Sequence, residues 1–100
     1  MRAVSSYSPT GRTLIRDVTI HNKYGIHARP AAMIVKTASR YEADVFVEKD
    51  GNRVSGKSIM GLMTLEAPLG CVLRLTVQGP DAVELMDELA ALFEGKFGEE

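Results

Sequence analysis

A chain of 100 residues, 45 % of them hydrophobic, is enough for one small domain with a thin core and too short for several. It has no apolar run near the roughly 20 residues of a membrane-spanning helix, and its single cysteine, Cys71, excludes an internal disulfide or a cysteine zinc cluster. The net charge of −1 hides a gradient: residues 1–40 hold seven Lys or Arg against Asp17 alone, and residues 81–100 hold seven acids against Lys96 alone. A dipolar chain of this kind can be steered onto partners with acidic patches. Basic and aromatic residues do not interleave, so nucleic acid is not the expected partner, and neither is a membrane. Residues 1–11 lack the apolar stretch of a signal peptide and read as a flexible arm, and with a lone cysteine a cytoplasmic setting is the expectation.

Residues 14–21 are rich in β-branched types, contain no Gly or Pro, and read as a strand. Asn22-Lys23-Tyr24-Gly25 is turn chemistry. Pro30 then opens a helix with Ala31, Ile34, Val35 and Ala38 on one face, and Arg29, Met33, Lys36 and Arg40 as a stripe on the other. Residues 43–49 alternate, Asp50-Gly51 signals a hairpin, and residues 52–55 form the return strand. Ser58 caps a short helix that carries Ile59, Met60, Leu62, Met63 and Leu65. Five apolar side chains are too many for one narrow face, so they are either all core or partly an exposed docking patch. Residues 71–78 alternate again, with Cys71 a small buried residue at the strand start. Gly79-Pro80 breaks the chain before an amphipathic helix with Ala82, Leu85, Met86, Leu89, Leu92 and Phe93 on its apolar stripe. Asp81 and Glu84 fall where the helix dipole favours acids. Residues 96–100 read as a tail. The order is β-α-β-β-α-β-α, an α+β fold in which helices cover one face of an antiparallel sheet.

The most informative segment is Gly25-Ile26-His27-Ala28-Arg29-Pro30. It puts a histidine at a helix start, an arginine two residues on, and a proline that fixes the first turn. Backbone N–H groups of a first turn lack intrahelical partners, and the dipole adds positive character there. Such a site attracts anions and disfavours a cationic ring. A neutral imidazole with a free lone pair is a nucleophile, and nearby N–H groups can hold the phosphoryl group it takes up. Two histidines without another ligand type make a poor metal site, and His21 reads as surface or turn.

Together, Gly25-Ile26-His27-Ala28-Arg29-Pro30-Ala31-Ala32 and Gly56-Lys57-Ser58-Ile59-Met60-Gly61-Leu62-Met63 resemble the HPr phosphocarrier proteins of the bacterial phosphoenolpyruvate-dependent phosphotransferase system, over about residues 14–95. The resemblance implies an open-faced β-sandwich, with a four-stranded antiparallel sheet under three helices, as a domain over residues 12–95. It implies that His27 accepts a phosphoryl group on Nδ1 from phosphorylated enzyme I and passes it to a histidine on enzyme IIA proteins. It also implies that the protein is a carrier without enzymatic turnover, needing no metal or cofactor and acting as a monomer. Only the resemblance selects Nδ1 over Nε2. By the same resemblance Arg29 neutralises phosphate charge, and the backbone around Ala28 and Pro30 forms the phosphate cradle. Ser58 matches the serine modified by an ATP-dependent HPr kinase/phosphorylase, a mark that could recruit a transcription regulator. Lys36, Lys57, Ile59, Met60 and Met63 are the expected docking residues. The chain runs on past the last helix, so a C-terminal carboxylate contact to the arginine is not carried over.

Overall fold

In the computed structural model, which describes residues 7–8 and 11–99, the strands are β1 (Tyr7–Ser8), β2 (Gly11–Thr19), β3 (Asp44–Lys49), β4 (Asn52–Ser55) and β5 (Val72–Gly79). The helices are α1 (Ala28–Ala38), α2 (Ile59–Thr64) and α3 (Ala82–Glu94), followed by a 3₁₀ turn at Lys96–Gly98. Of the arm expected over residues 1–11, residues 1–6, 9 and 10 lie outside the described residues. Tyr7 and Ser8 pair with Arg12 and Gly11 as a two-residue edge strand.

Period-two burial decides which face of the sheet is covered. Val18 on β2, Val45 and Val47 on β3, and Leu73, Leu75 and Val77 on β5 are buried, while their alternates face the other way. The buried set meets Ala31 and Ile34 of α1, Leu62 of α2, and Leu85, Leu89 and Phe93 of α3 in one core. Each large apolar side chain taken out of water there contributes roughly 1.5–3 kcal/mol. The opposite face stays open, with Asp17 and Arg74 paired across β2 and β5 at 3.1 Å.

The sheet order is β1-β2-β5-β3-β4, antiparallel throughout, so β5 inserts between β2 and β3. This is the expected open-faced sandwich of four strands and three helices, with β1 added at one edge. The hairpin from β3 to β4 turns at Asp50 (φ 52°) and Gly51 (φ 85°), two positive values in a row. That is the primed turn whose twist matches the strands.

Several boundaries differ from the sequence reading. Strand β2 starts at Gly11 and ends at Thr19, because Ile20 leaves the ladder to exchange bonds with Gly70 and Cys71. Helix α1 starts two residues before Pro30, which is tolerated in the first turn because no N–H is needed there. Cys71 lies just before β5 and is half-buried at the core margin rather than inside it.

Asp81 does not cap its own helix. Its two carboxylate oxygens accept hydrogen bonds from the backbone N–H groups of Glu42 and Ala43, each at 2.9 Å, tying α3 to the loop before β3. Those donors, Glu42 first, hold the Asp81 carboxyl below the usual carboxylate range. A pKa depressed in the folded state stabilises the fold above the ordinary carboxylate range. That stabilisation is lost as pH falls through the depressed value. Asp81→Asn is therefore expected to melt lower than the parent chain at neutral pH. The gap should close as thermal melts are taken from about pH 7 to about pH 3.

Candidate functional site

The turn Asn22–Gly25 is built by glycine. Gly25 has φ +66°, and a Cβ there would sit 2.1 Å from the Ala67 carbonyl oxygen. That close approach lets the next N–H, of Ile26, donate to the same oxygen at 2.9 Å. Ile26 is buried in the core, and Pro30 is buried four residues on. The intervening residues are thereby pushed outward. His27 is the N-cap of α1 in extended backbone, its carbonyl accepting from the Ala31 N–H at 3.0 Å. Among the described residues the N–H groups of Ala28 and Arg29 have no backbone or side-chain acceptor. Proline has no N–H, so of the residues expected to form a cradle only Ala28 can donate from its backbone, joined by Arg29, and Pro30 supplies only its fixed φ and its burial.

The His27 side chain is 38 % exposed, seated at the surface and within reach of another protein. Its Nε2 lies 2.9 Å from Glu99 Oε2, a carboxylate only 15 % exposed. Arg29 Nη1 approaches the same oxygen at 3.7 Å. The other Glu99 oxygen, Oε1, accepts from Asn22 Nδ2 at 3.2 Å, and that amide also donates to the Gly25 carbonyl at 2.8 Å. The Tyr24 ring stands edge-on to the imidazole, centroids 6.2 Å apart, with the Lys23 ammonium 5.3 Å from the phenol ring.

Glu99, Asn22 and Tyr24 were not legible as site residues. Glu99 is 72 positions from His27, in the segment read as a tail. That segment is folded: Lys96 and Phe97 both take φ 55°, left-handed values that cost roughly 1–2 kcal/mol each for a side chain with a Cβ. The turn drives Phe97 into the core against Phe93, ring centroids 4.9 Å apart, and that burial offsets the strain. Glu99 follows and is delivered to the imidazole. A carboxylate does reach Arg29, as a side chain from the folded terminal segment.

The second motif forms α2. Ser58 caps it, its Oγ accepting from the Gly61 N–H at 3.0 Å. Leu62 and Leu65 go inside, whereas Ile59, Met63 and especially Met60, 79 % exposed, face outward. The five apolar residues are thus divided, and the all-core alternative fails. Lys49 completes the helix at its other end, its ammonium donating to the Leu65 and Glu66 carbonyls at 3.2 Å each. Lys36 is exposed on α1. Lys57 is partly committed, its ammonium donating to the Tyr41 carbonyl at 3.0 Å. Arg40 at the end of the basic stripe pairs with Glu88, which also accepts from the Tyr41 hydroxyl. That bond pushes the Tyr41 phenol up and holds Glu88 below the usual carboxylate range. Among the described residues no cluster of three metal-ligating side chains occurs, and no helix is long and apolar enough to cross a membrane.

An open-faced sandwich with this histidine at the first turn of its first helix belongs to the class of phosphocarrier domains. The family model described as the PTS HPr component phosphorylation site matches residues 14–95. The phosphocarrier protein HPr of Treponema pallidum is 44 % identical over 87 residues, covering 87 % of this chain and 99 % of that protein. The crystal structure of an HPr from Thermoanaerobacter tengcongensis superposes with TM-score 0.84 at 46 % identity, covering 87 % of this chain and 98 % of that one. The crystal structure of Crh, a catabolite-repression protein of Bacillus subtilis described as a domain-swapped dimer, superposes with TM-score 0.68 at 46 % identity, covering 79 % of this chain and 91 % of that one. This chain is a member of the HPr phosphocarrier family of the phosphotransferase system.

Gly25→Ala should cost about 2 kcal/mol or more, because the added methyl meets the Ala67 carbonyl and the positive φ disfavours it. The expected readouts are a melting temperature lower by roughly 10 °C and faster hydrogen exchange at the Ile26 amide.

Proposed function

We propose that His27 carries a phosphoryl group between proteins. It takes the group on Nδ1 from phosphorylated enzyme I and delivers it to a histidine of enzyme IIA proteins. One observation carries this reading: a half-exposed imidazole whose Nε2 faces a carboxylate, leaving Nδ1 as the nitrogen with a lone pair to offer. Arg29 and the open N–H groups of Ala28 and Arg29 can neutralise and orient the phosphoryl oxygens as they arrive. A phosphoramidate has a high transfer potential, so loading and unloading can both be nearly balanced. Preorganised positive charge then lowers the barrier in each direction. The chain acts as a stoichiometric monomeric carrier in the cytoplasm and needs no metal or cofactor of its own.

Incubation with phosphoenolpyruvate, Mg²⁺ and enzyme I is expected to add one acid-labile phosphate to the wild type and none to His27→Ala, read by mass before and after mild acid. An acid-stable adduct, or labelling that survives the substitution, would overturn the assignment.

Ser58 is the regulatory position in this reading, modified by an HPr kinase/phosphorylase and able to recruit a transcription regulator. Ser58 is half-buried at the cap of α2, beside outward-facing Ile59, Met60 and Met63. A phosphate there would add nearly two negative charges beside a surface that docks partners with acidic patches. Ser58→Asp is expected to slow loading of His27 by enzyme I several-fold in a stopped loading assay, and equal rates would count against this role.

A further inference from the structure

The contact made by Glu99 bears on how the imidazole is held as well as where it sits. We propose that Glu99, braced by Asn22, is a positioning residue for phosphoryl transfer. Its carboxylate keeps the proton of His27 on Nε2, so that Nδ1 is the nucleophile on arrival and a neutral imidazole is the leaving group on departure. The inference rests on the carrier role assigned above and adds a residue to it.

Three observations converge. Oε2 of Glu99 lies 2.9 Å from Nε2, and a carboxylate can only accept, so the ring nitrogen facing it bears the proton. The carboxylate is largely shielded, so the contact is screened less than a surface pair. Asn22 is fully buried and spends both donors on this arrangement, one on the Gly25 carbonyl of the histidine loop and one on Glu99 Oε1. Turning the amide over would set its oxygen against the Gly25 carbonyl, so its orientation is determined. Its Oδ1 has no partner among the described residues, a cost of roughly 1–3 kcal/mol that the fold accepts to hold loop and carboxylate together.

The Nδ1 lone pair forms the bond to phosphorus while the donor's bond to phosphorus breaks, and the donor's leaving group departs with that electron pair. The His27 ring keeps its Nε2 proton and gains positive charge, which the Glu99 carboxylate faces directly. On delivery to an acceptor histidine, the electrons of the Nδ1–P bond return to Nδ1 and the ring leaves uncharged. Without the carboxylate, part of the population carries its proton on Nδ1 and has no lone pair there to attack.

Glu99 also faces Arg29, and a phosphoryl group would compete with it for that guanidinium. The two effects oppose each other, and the distances decide between them. Arg29 is 62 % exposed and 3.7 Å away, a screened and weak pair, whereas the ring contact is short and shielded. Loss of Glu99 is therefore expected to slow loading.

The test compares wild type, Glu99→Ala and Glu99→Gln by ¹⁵N NMR of the His27 ring and by single-turnover loading from phosphorylated enzyme I and unloading to enzyme IIA. Expected for Glu99→Ala are ring signals moving from the Nε2–H tautomer toward a mixture and loading about tenfold slower, with unloading no slower, because the phosphorylated ring loses the carboxylate that faces its positive charge. Glu99→Gln keeps an acceptor for the Nε2 proton, so it should retain the tautomer with a loading rate between the other two. Unchanged ring signals in Glu99→Ala, loading within about twofold of wild type, or faster loading would each overturn the proposal. Wild-type protein that takes up no acid-labile phosphate at His27 would instead overturn the carrier reading, and this role with it, whatever the ring signals show.

Discussion

The site depends on the closure of two distant loops against each other. Ile20 donates to the Cys71 carbonyl and accepts from Gly70, and Ile26 donates to the Ala67 carbonyl, so residues 20–26 are laced to residues 67–71. The lacing needs the backbones to come so close at Gly25 that no side chain fits there. Once it is made, Ile26 falls into the core and α1 begins at Ala28. His27 is left at the surface between two anchored neighbours, Ile26 and Pro30. Without this closure the first turn of α1 would open toward no fixed partner, and the imidazole would have no defined seat.

A second closure, at the C-terminal end, determines what the imidazole faces. The turn at Lys96 and Phe97 is unfavourable by itself, since two successive residues with a Cβ adopt left-handed conformations. It persists because Phe97 is an aromatic side chain with a ready slot beside Phe93. Strain in the turn and burial of the ring thus place an acid beside a histidine that no local signal connects to it. The same logic operates at Asp81, whose carboxylate serves the loop before β3 rather than its own helix. In both cases an acid acts across the fold on a partner far away in sequence.

The charge gradient also has a structural counterpart. Part of the basic stripe on α1 is answered internally: Arg40 pairs with Glu88 of the acidic helix α3, and Arg29 leans toward Glu99. Lys57 donates to a carbonyl. Lys36 and the outward-facing Met60 and Met63 remain exposed. The exposed surface beside α1 and α2 is therefore less basic and more apolar than a count of basic residues suggests.

The sheet, its open face, the hairpin at Asp50-Gly51 and the outward display of half of α2 all follow from patterns within ten residues or so. Alternation, turn chemistry and capping are local physics. So were the candidacies of His27 and Ser58, since each sits at a helix start marked by its immediate neighbours, and a family resemblance reinforced both. What no local pattern carried was the set of groups that meet the imidazole. Asn22 read as turn chemistry because its amide's partners include a residue 77 positions away, and Glu99 read as tail because its position depends on where Phe97 is buried. By itself the amino-acid sequence determined which histidine is the candidate and what kind of helix end presents it. Only the tertiary structure decided which ring nitrogen faces the Glu99 carboxylate, because contacts between distant segments form through packing of the core and leave no periodic trace along the chain.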